Sequence, residues 1–182
     1  MEQIGLLHDG QIYDLQTAEA LNIKGDIIKA DDSKESLEIL RHSCAHMMAQ
    51  AIKELYPEAK FFVGPVVKEG FYYDFKVESK ISDEDLPTIE KKMKEIADRK
   101  LPITRHETTK EEFYEKFKND ELKQAVLKNI KDDTLTIYKQ GDFEDLCRGP
   151  HLPNTRMIRS FKLTRVAGAY LGGDEKNEMI TR

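Results

Sequence analysis

Between Leu37 and Leu55 apolar residues recur at helical spacing: Leu37, Leu40, Cys44, Met47, Met48, Ala51 and Leu55 form one stripe, as an amphipathic helix requires. Pro57 closes that segment, and Asp32 with Glu35 has the capping-box spacing that opens it. A second stripe, Leu86, Ile89, Met93 and Ile96, predicts another helix from a Ser82 cap. Shorter helical patterns cover Lys110–Phe117 and Glu121–Ile130. Two pairs of strand-like runs flank turns. Gln3–Leu7 and Gln11–Leu15 surround His8-Asp9-Gly10, and Lys60–Val67 and Phe71–Phe75 surround Lys68-Glu69-Gly70. Leu101–Glu107, Thr134–Lys139 and Ser160–Val166 read as further strands. Helices and strands alternate irregularly, which predicts an α+β fold: a largely antiparallel sheet packed by helices, with one long helix carrying His42 and His46. Residues 1–32 read as a short appendage and residues 33–182 as the main domain.

Composition narrows the class. A chain of 182 residues suffices for one well-cored domain with an appendage. With 39% apolar and 35% charged residues it reads as globular and well solvated, and no apolar run approaches the roughly 20 residues that span a bilayer. Met1-Glu2-Gln3 lacks the basic start and apolar stretch of a secretory signal. The two cysteines, Cys44 and Cys147, lie far apart, as thiols in a reducing compartment do rather than a disulfide scaffold. A cytoplasmic location follows. A net charge of −5 argues against sequence-independent binding of nucleic acid. Yet Leu146–Gly173 contains no acidic residue and holds Arg148, Arg156, Arg159, Lys162 and Arg165. Such a run can face phosphates or simply face water.

The chemistry concentrates in two pairs. His42 and His46 are four apart on the first long helix, so both imidazoles reach one point in space. They also lie nearly opposite the Leu40–Cys44–Met48 stripe, which argues against simple core packing. Cys147 and His151 are four apart in a turn around Gly149-Pro150. Either pair alone is weak. A zinc-protease helix would carry Glu where Ser43 stands. Together they form His-x3-His…Cys-x3-His, which suits either a tetrahedral zinc shell or a metal-free hydrolytic site with imidazoles as proton acceptors. Spacing does not choose between these.

Longer motifs carry a resemblance. Arg41-His42-Ser43-Cys44-Ala45-His46, Val63-Gly64-Pro65-Val66, Gly70-Phe71-Tyr72-Tyr73-Asp74, Asp145–Asn154, Phe161-Lys162-Leu163 and Ala167-Gly168-Ala169-Tyr170 resemble, in order, the editing domain of bacterial threonyl-tRNA synthetases. The resemblance covers about residues 33–182. A looser version of the four-residue pattern marks the alanyl-tRNA synthetase editing domain and its relatives, which usually hold zinc there. The implied reaction is hydrolysis of serine from mischarged threonine tRNA. Serine and threonine differ by one methyl group, which a binding pocket discriminates by only about 1–3 kcal/mol, so a second sieve is needed.

By the same resemblance His42, His46, Cys147 and His151 line the pocket, with no obligatory metal, although zinc can be held by those four. Asp145 is placed to meet the serine ammonium and Lys123 to help activate water, an exposed helix lysine being the alternative for the latter. Tyr72 and Tyr73, on a hairpin with Gly64, either flank the tRNA end or pack the sheet, and Arg148 begins the basic run that would hold the acceptor end. A non-catalytic acceptor-end binding module and a closed structural zinc domain are the rival readings. The family begins with a small ubiquitin-like domain, reduced or missing here. It continues into aminoacylation and anticodon-binding domains, so ATP, the catalytic zinc and the homodimer contacts of a parent synthetase are expected outside this chain.

Overall fold

The computed structural model describes residues 1–182. Strands β1 (Gln3–His8) and β2 (Gln11–Asp14) form the expected hairpin, with Asp9 and Gly10 at positive φ in its turn. Asp14 then caps a short helix, α1 (Leu15–Ala20), by accepting the Thr17 N–H. Strand β3 (Asp26–Lys29), absent from the expected pattern, pairs with the free side of β1. Ile4 and Ile28 of this sheet enter the main hydrophobic core, so the first 32 residues share a core with the rest.

The long helix α2 (Lys34–Leu55) runs through the middle of the molecule. Its cap is Ser33, which accepts the Ser36 N–H, and not the expected Asp32–Glu35 box. Asp31 turns the chain by accepting the Ser33 N–H at 2.9 Å, which moves the cap position one residue on. Cys44, Met47 and Ala51 of the expected stripe are buried, but so are Ile39, Ser43, His46 and Gln50 from other faces. From Ser43 to Ile52 every residue but Met48 is buried, so the middle of the helix is wrapped on nearly every side, and His46 is not opposite the core but within it.

Residues 60–76 form one broken hairpin: β4 (Lys60–Phe61), β5 (Val66–Val67), β6 (Gly70–Phe71) and β7 (Phe75–Lys76). Val66 pairs with Phe71 near the tip and Phe61 with Phe75 at the base. Between them Gly64 passes the Tyr73 ring so closely that a Cβ would lie 2.3 Å from it. A turn closed by the Ser82 N–H on Asp85 at 2.8 Å leads into α3 (Leu86–Asp98), whose Ile89, Met93 and Ile96 are buried as expected.

Strand β8 (Thr104–Thr109) starts later than expected, Pro102 making only a bridge to Asn154. Helices α4 (Lys110–Lys116) and α5 (Glu121–Lys128) follow, then β9 (Thr134–Gln140) and the unexpected β10 (Phe143–Leu146). These three strands form a sheet in the order β10-β9-β8. Ser160–Val166 is not a strand. The Leu163 and Val166 N–H groups donate to Glu90 and Asp83 at 2.7 and 2.6 Å, so acidic side chains beside α3 replace a neighbouring strand. The chain ends with β11 (Gly168–Tyr170) and β12 (Met179–Thr181), which join β7 and β4. The α+β, antiparallel architecture is thus present, divided among four small sheets. No helix is long and apolar enough to cross a membrane.

Met93 is fully buried in the main core. Met93→Ala is expected to cost about 2–5 kcal/mol, seen as a lower urea midpoint with an unchanged slope. An unaltered midpoint would place Met93 outside the cooperative core.

Candidate functional site

Helix α2 presents His42 and His46, and the loop after β10 presents Cys147 and His151. One ligating atom of each lies within 4.8 Å of all the others. His42 stacks on His151 with ring centroids 4.4 Å apart, and His46 lies 4.4 Å from His151. Helix and loop are tied by Ser43, whose Oγ accepts the Leu152 N–H at 2.8 Å.

The partners dictate where the protons sit. His42 Nδ1 is 3.0 Å from the Pro150 carbonyl, which only accepts, so Nδ1 carries the hydrogen. His42 Nε2, 3.3 Å from Cys147 Sγ, is left to accept the thiol proton. The sulfur accepts the Gly149 N–H at 3.3 Å and lies 3.1 Å from His151 Nε2. One thiol proton cannot serve two acceptors. In the metal-free cluster His151 therefore donates from Nε2 to the sulfur, and its Nδ1 accepts the Ser43 hydroxyl at 3.0 Å. A directed chain results, from Ser43 through His151, Cys147 and His42 to the Pro150 carbonyl. His46 is the one imidazole outside it.

The same four residues fit a zinc ion. Bonds of about 2.0–2.3 Å put tetrahedral ligands about 3.3–3.8 Å apart; the sulfur lies 3.3 and 3.1 Å from His42 and His151 nitrogens, and all four ligating atoms lie within 4.8 Å of one another. The Pro150 carbonyl on His42 Nδ1 is the outer hydrogen bond that ligating histidines make. Binding would require the Cys147 thiolate, and His151 would shift its proton to Nδ1, where the Ser43 oxygen would accept it.

Beside His46 lies a buried ionic group. Lys123 Nζ pairs with Asp145 Oδ1, both side chains almost fully buried, and the Tyr73 hydroxyl donates to Asp145 Oδ2. Tyr73 reaches the cluster, its ring centroid 6.1 Å from that of His46. Lys123 lies in the first turn of α5, which Asp120 caps through the Leu122 and Lys123 N–H groups. Asp145 lies on the buried side of β10. Tyr72 faces away, its ring 4.0 Å from the Arg182 guanidinium. Arg148 is exposed, 3.5 Å from an equally exposed Asp132, a pair that contributes little. Gly64 lies under the Tyr73 ring. A cavity of about 660 Å³ opens beside Cys147 and Pro150, with Tyr13 and Asp14 on one side and Arg105 and Leu135 on the other.

Three residues at the site were not expected: Ser43, Asp14 and Tyr138. Ser43 was visible only as the residue between two histidines. Asp14, followed at the capping distance by Thr17, has the mark of a helix cap, but nothing local shows its contact with a loop 137 residues away.

Residues 135–182 match the family described as the threonyl and alanyl tRNA synthetase second additional domain. Over 181 residues, all of this chain and 30% of the relative, it is 65% identical to a threonine–tRNA ligase of Campylobacter jejuni. A threonine–tRNA ligase of Helicobacter hepaticus is 64% identical over the same shares. One of Campylobacter lari is 72% identical over 152 residues, 84% of this chain and 25% of the relative. From end to end the chain is therefore similar to one stretch of the threonine–tRNA ligases. It spans about 30% of the length of the first two of these relatives.

At this site burial governs protonation. Burial, and after it the charge that neighbouring imidazoles would carry, holds His46 and His151 well below the usual histidine range. Burial also lowers His42, partly offset by the Pro150 carbonyl. The Cys147 thiol is pushed up, chiefly by burial, and Cys44 is pushed up by burial to about 12. At neutral pH the cluster is uncharged.

Two measurements follow. An unfolded chain takes up protons at these histidines as pH falls below about 6.5, whereas the folded chain resists. Their contribution to stability is therefore full above that pH and is lost on acidification. The urea midpoint should fall between pH 6.5 and 5, by up to about 1.4 kcal/mol per pH unit for each histidine, and His46→Asn should flatten the decline. A flat profile in the unsubstituted chain contradicts the buried neutral cluster. Long-range proton–nitrogen spectra should show the metal-free chain with His42 protonated at Nδ1 and His151 at Nε2. Saturating zinc should move the His151 proton to Nδ1. Finding His151 protonated at Nδ1 without metal would break the directed chain.

Proposed function

We propose that this chain is an aminoacyl-tRNA ester hydrolase, the editing part of a threonyl-tRNA synthetase, which removes serine from mischarged threonine tRNA. The observation that carries this reading is the meeting of three neutral imidazoles and a thiol at one point beside a buried lysine–aspartate pair. The likeness to threonine–tRNA ligases suggests the substrate class. The editing domain proper comprises residues 33–182, with 1–32 as its N-terminal appendage.

His46, with no hydrogen bond to the rest of the cluster, takes a proton from water as the water oxygen bonds to the ester carbonyl carbon. The carbonyl oxygen becomes negative, and Lys123, whose ammonium has no protein hydrogen bond beyond its pair with Asp145, stabilises it. As the tetrahedral centre collapses, the ribose oxygen leaves with the proton from His46, releasing serine and intact tRNA. Asp145 contacts Lys123, Tyr73 and the Leu146 N–H, and a carboxylate offers about four acceptor sites. One is left for the serine ammonium. His42, Cys147 and His151 shape the pocket, and the terminal nucleotide enters by the cavity beside Cys147, Arg148 and Pro150, with the basic run beyond Arg148 facing the acceptor stem. Gly64 and the buried Tyr73 support the pocket wall, and Tyr72, on the same hairpin, meets the tRNA outside it.

No metal is obligatory in this scheme. Four protein ligands would close a tetrahedral shell and leave no position for water. When bound, zinc would be held by His42, His46, Cys147 and His151 and would supply Lewis-acid polarisation. The outer hydrogen bond on His42 favours a second reading, a structural zinc site. ATP-dependent threonine activation, its zinc and the homodimer contacts belong to the remainder of a parent synthetase, and the cytoplasm is where it would act.

Release of labelled amino acid from seryl- and threonyl-charged threonine tRNA decides between these readings. Serine should be lost fast and threonine slowly, with no effect of chelator. His46→Ala should slow serine release about 10²- to 10⁴-fold, and Cys147→Ala should abolish most of it. Stoichiometric zinc with unfolding on chelation would establish the structural site instead. A folded chain that binds the tRNA but releases nothing would leave a binding module.

A further inference from the structure

We infer that Asp14, in the N-terminal segment, is a positioning residue that holds the Cys147–His151 loop in its working geometry. This rests on the hydrolase reading of the same site. Asp14 is 2% exposed, and each partner of its carboxylate is a neutral donor. Oδ1 accepts the Thr17 N–H at 2.8 Å. Oδ2 accepts the Tyr138 hydroxyl at 2.5 Å and the backbone N–H of His151 at 2.9 Å. A buried carboxylate without a cation is costly, and an N-terminal cap needs only one oxygen and no such burial. The second oxygen is spent on the loop.

The surroundings leave that loop little freedom. Tyr138 stands on β9, its ring centroid 4.4 Å from that of His151, and its hydroxyl accepts from Thr17 Oγ1 at 3.0 Å. Gly149 has φ +78°, and a Cβ there would lie 2.6 Å from the Tyr138 oxygen and 2.7 Å from Asp14 Oδ2. Asp14 and Tyr138 thus form a floor on which only a glycine can turn. The turn sets the Gly149 N–H on Cys147 Sγ and the Pro150 carbonyl on His42 Nδ1. Ser43 pins the same loop from α2. Asp14 grips its other side, so the hairpin before α1 is part of the site's support.

The test compares the full chain with Asp14→Asn and Tyr138→Phe, by steady-state hydrolysis of seryl-charged threonine tRNA and by amide hydrogen exchange. Asp14→Asn keeps the shape but weakens acceptance of both donors. It should lower kcat about 100-fold with KM changed less than about threefold, since small misplacements of reacting groups cost about that much. Tyr138→Phe keeps the ring on His151 and frees one side of the carboxylate, and kcat should fall about 10-fold. In both, the His151 amide should lose protection while the Ile39 and Met93 amides keep theirs. If Asp14→Asn fails to fold, Tyr138→Phe decides alone. Unchanged kcat in either folded variant after its His151 amide loses protection overturns the proposal, as does an unchanged His151 amide in both. Absence of hydrolysis in the unsubstituted chain would defeat the hydrolase reading instead, leaving the exchange data to show whether Asp14 holds the loop.

Discussion

A helix buried on every side must satisfy, inside the protein, every polar side chain it carries. The middle of helix α2 is nearly in that position, and much of the molecule answers its demands. Ser36 accepts the Asp31 N–H where the helix begins. Gln50 accepts from Gln140 of β9 at 2.8 Å. Between them, Ser43 and His42 find their partners in the loop from Cys147 to Leu152, while His46 packs against His151 of that loop without a hydrogen bond. The cluster is the seam along which a polar helix face and a polar loop close on each other. Its geometry follows from packing before any ligand is considered.

Charge is distributed unevenly across this seam. The four His and Cys side chains are neutral because burial disfavours their charged forms. The adjoining Lys123 and Asp145 are each other's direct partner, and Tyr73 donates to the carboxylate. Removing one member of such a pair strands the other and typically costs 3–5 kcal/mol. Neutral proton acceptors beside a fixed, partly unsatisfied ammonium suit a reaction in which negative charge develops on an oxygen. An exposed cluster would carry water-screened charges and lose that contrast.

Periodicity made the long elements legible in the sequence, since α2, α3 and β9 bury regular stripes of apolar side chains. It failed for β3, β10, β11 and β12, of three or four residues each, too short to show alternation. Ser160–Val166 misled for the opposite reason. Its apolar residues pack the core, yet side-chain carboxylates receive two of its backbone hydrogens. At the site, spacing revealed His42 with His46 and Cys147 with His151, because each pair is local. The resemblance alone pointed to Lys123 and Asp145. Asp14, Ser43 and Tyr138 were illegible because an acid, a hydroxyl and a phenol are ordinary residues until folding brings them to a loop far along the chain.

Ser43 also explains why one sequence pattern suits two chemistries. Its hydroxyl can donate to His151 Nδ1 or accept from it, while its oxygen holds the Leu152 N–H in either case. Donation fixes the proton of His151 on the nitrogen that faces Cys147, giving a closed chain of neutral groups. Acceptance would free that nitrogen for a metal. Taking one up would then require two protons to change, one shifted within His151 and one lost from Cys147. Ser43 and Asp14 hold the loop through the Leu152 and His151 N–H groups, bonds that neither proton change consumes.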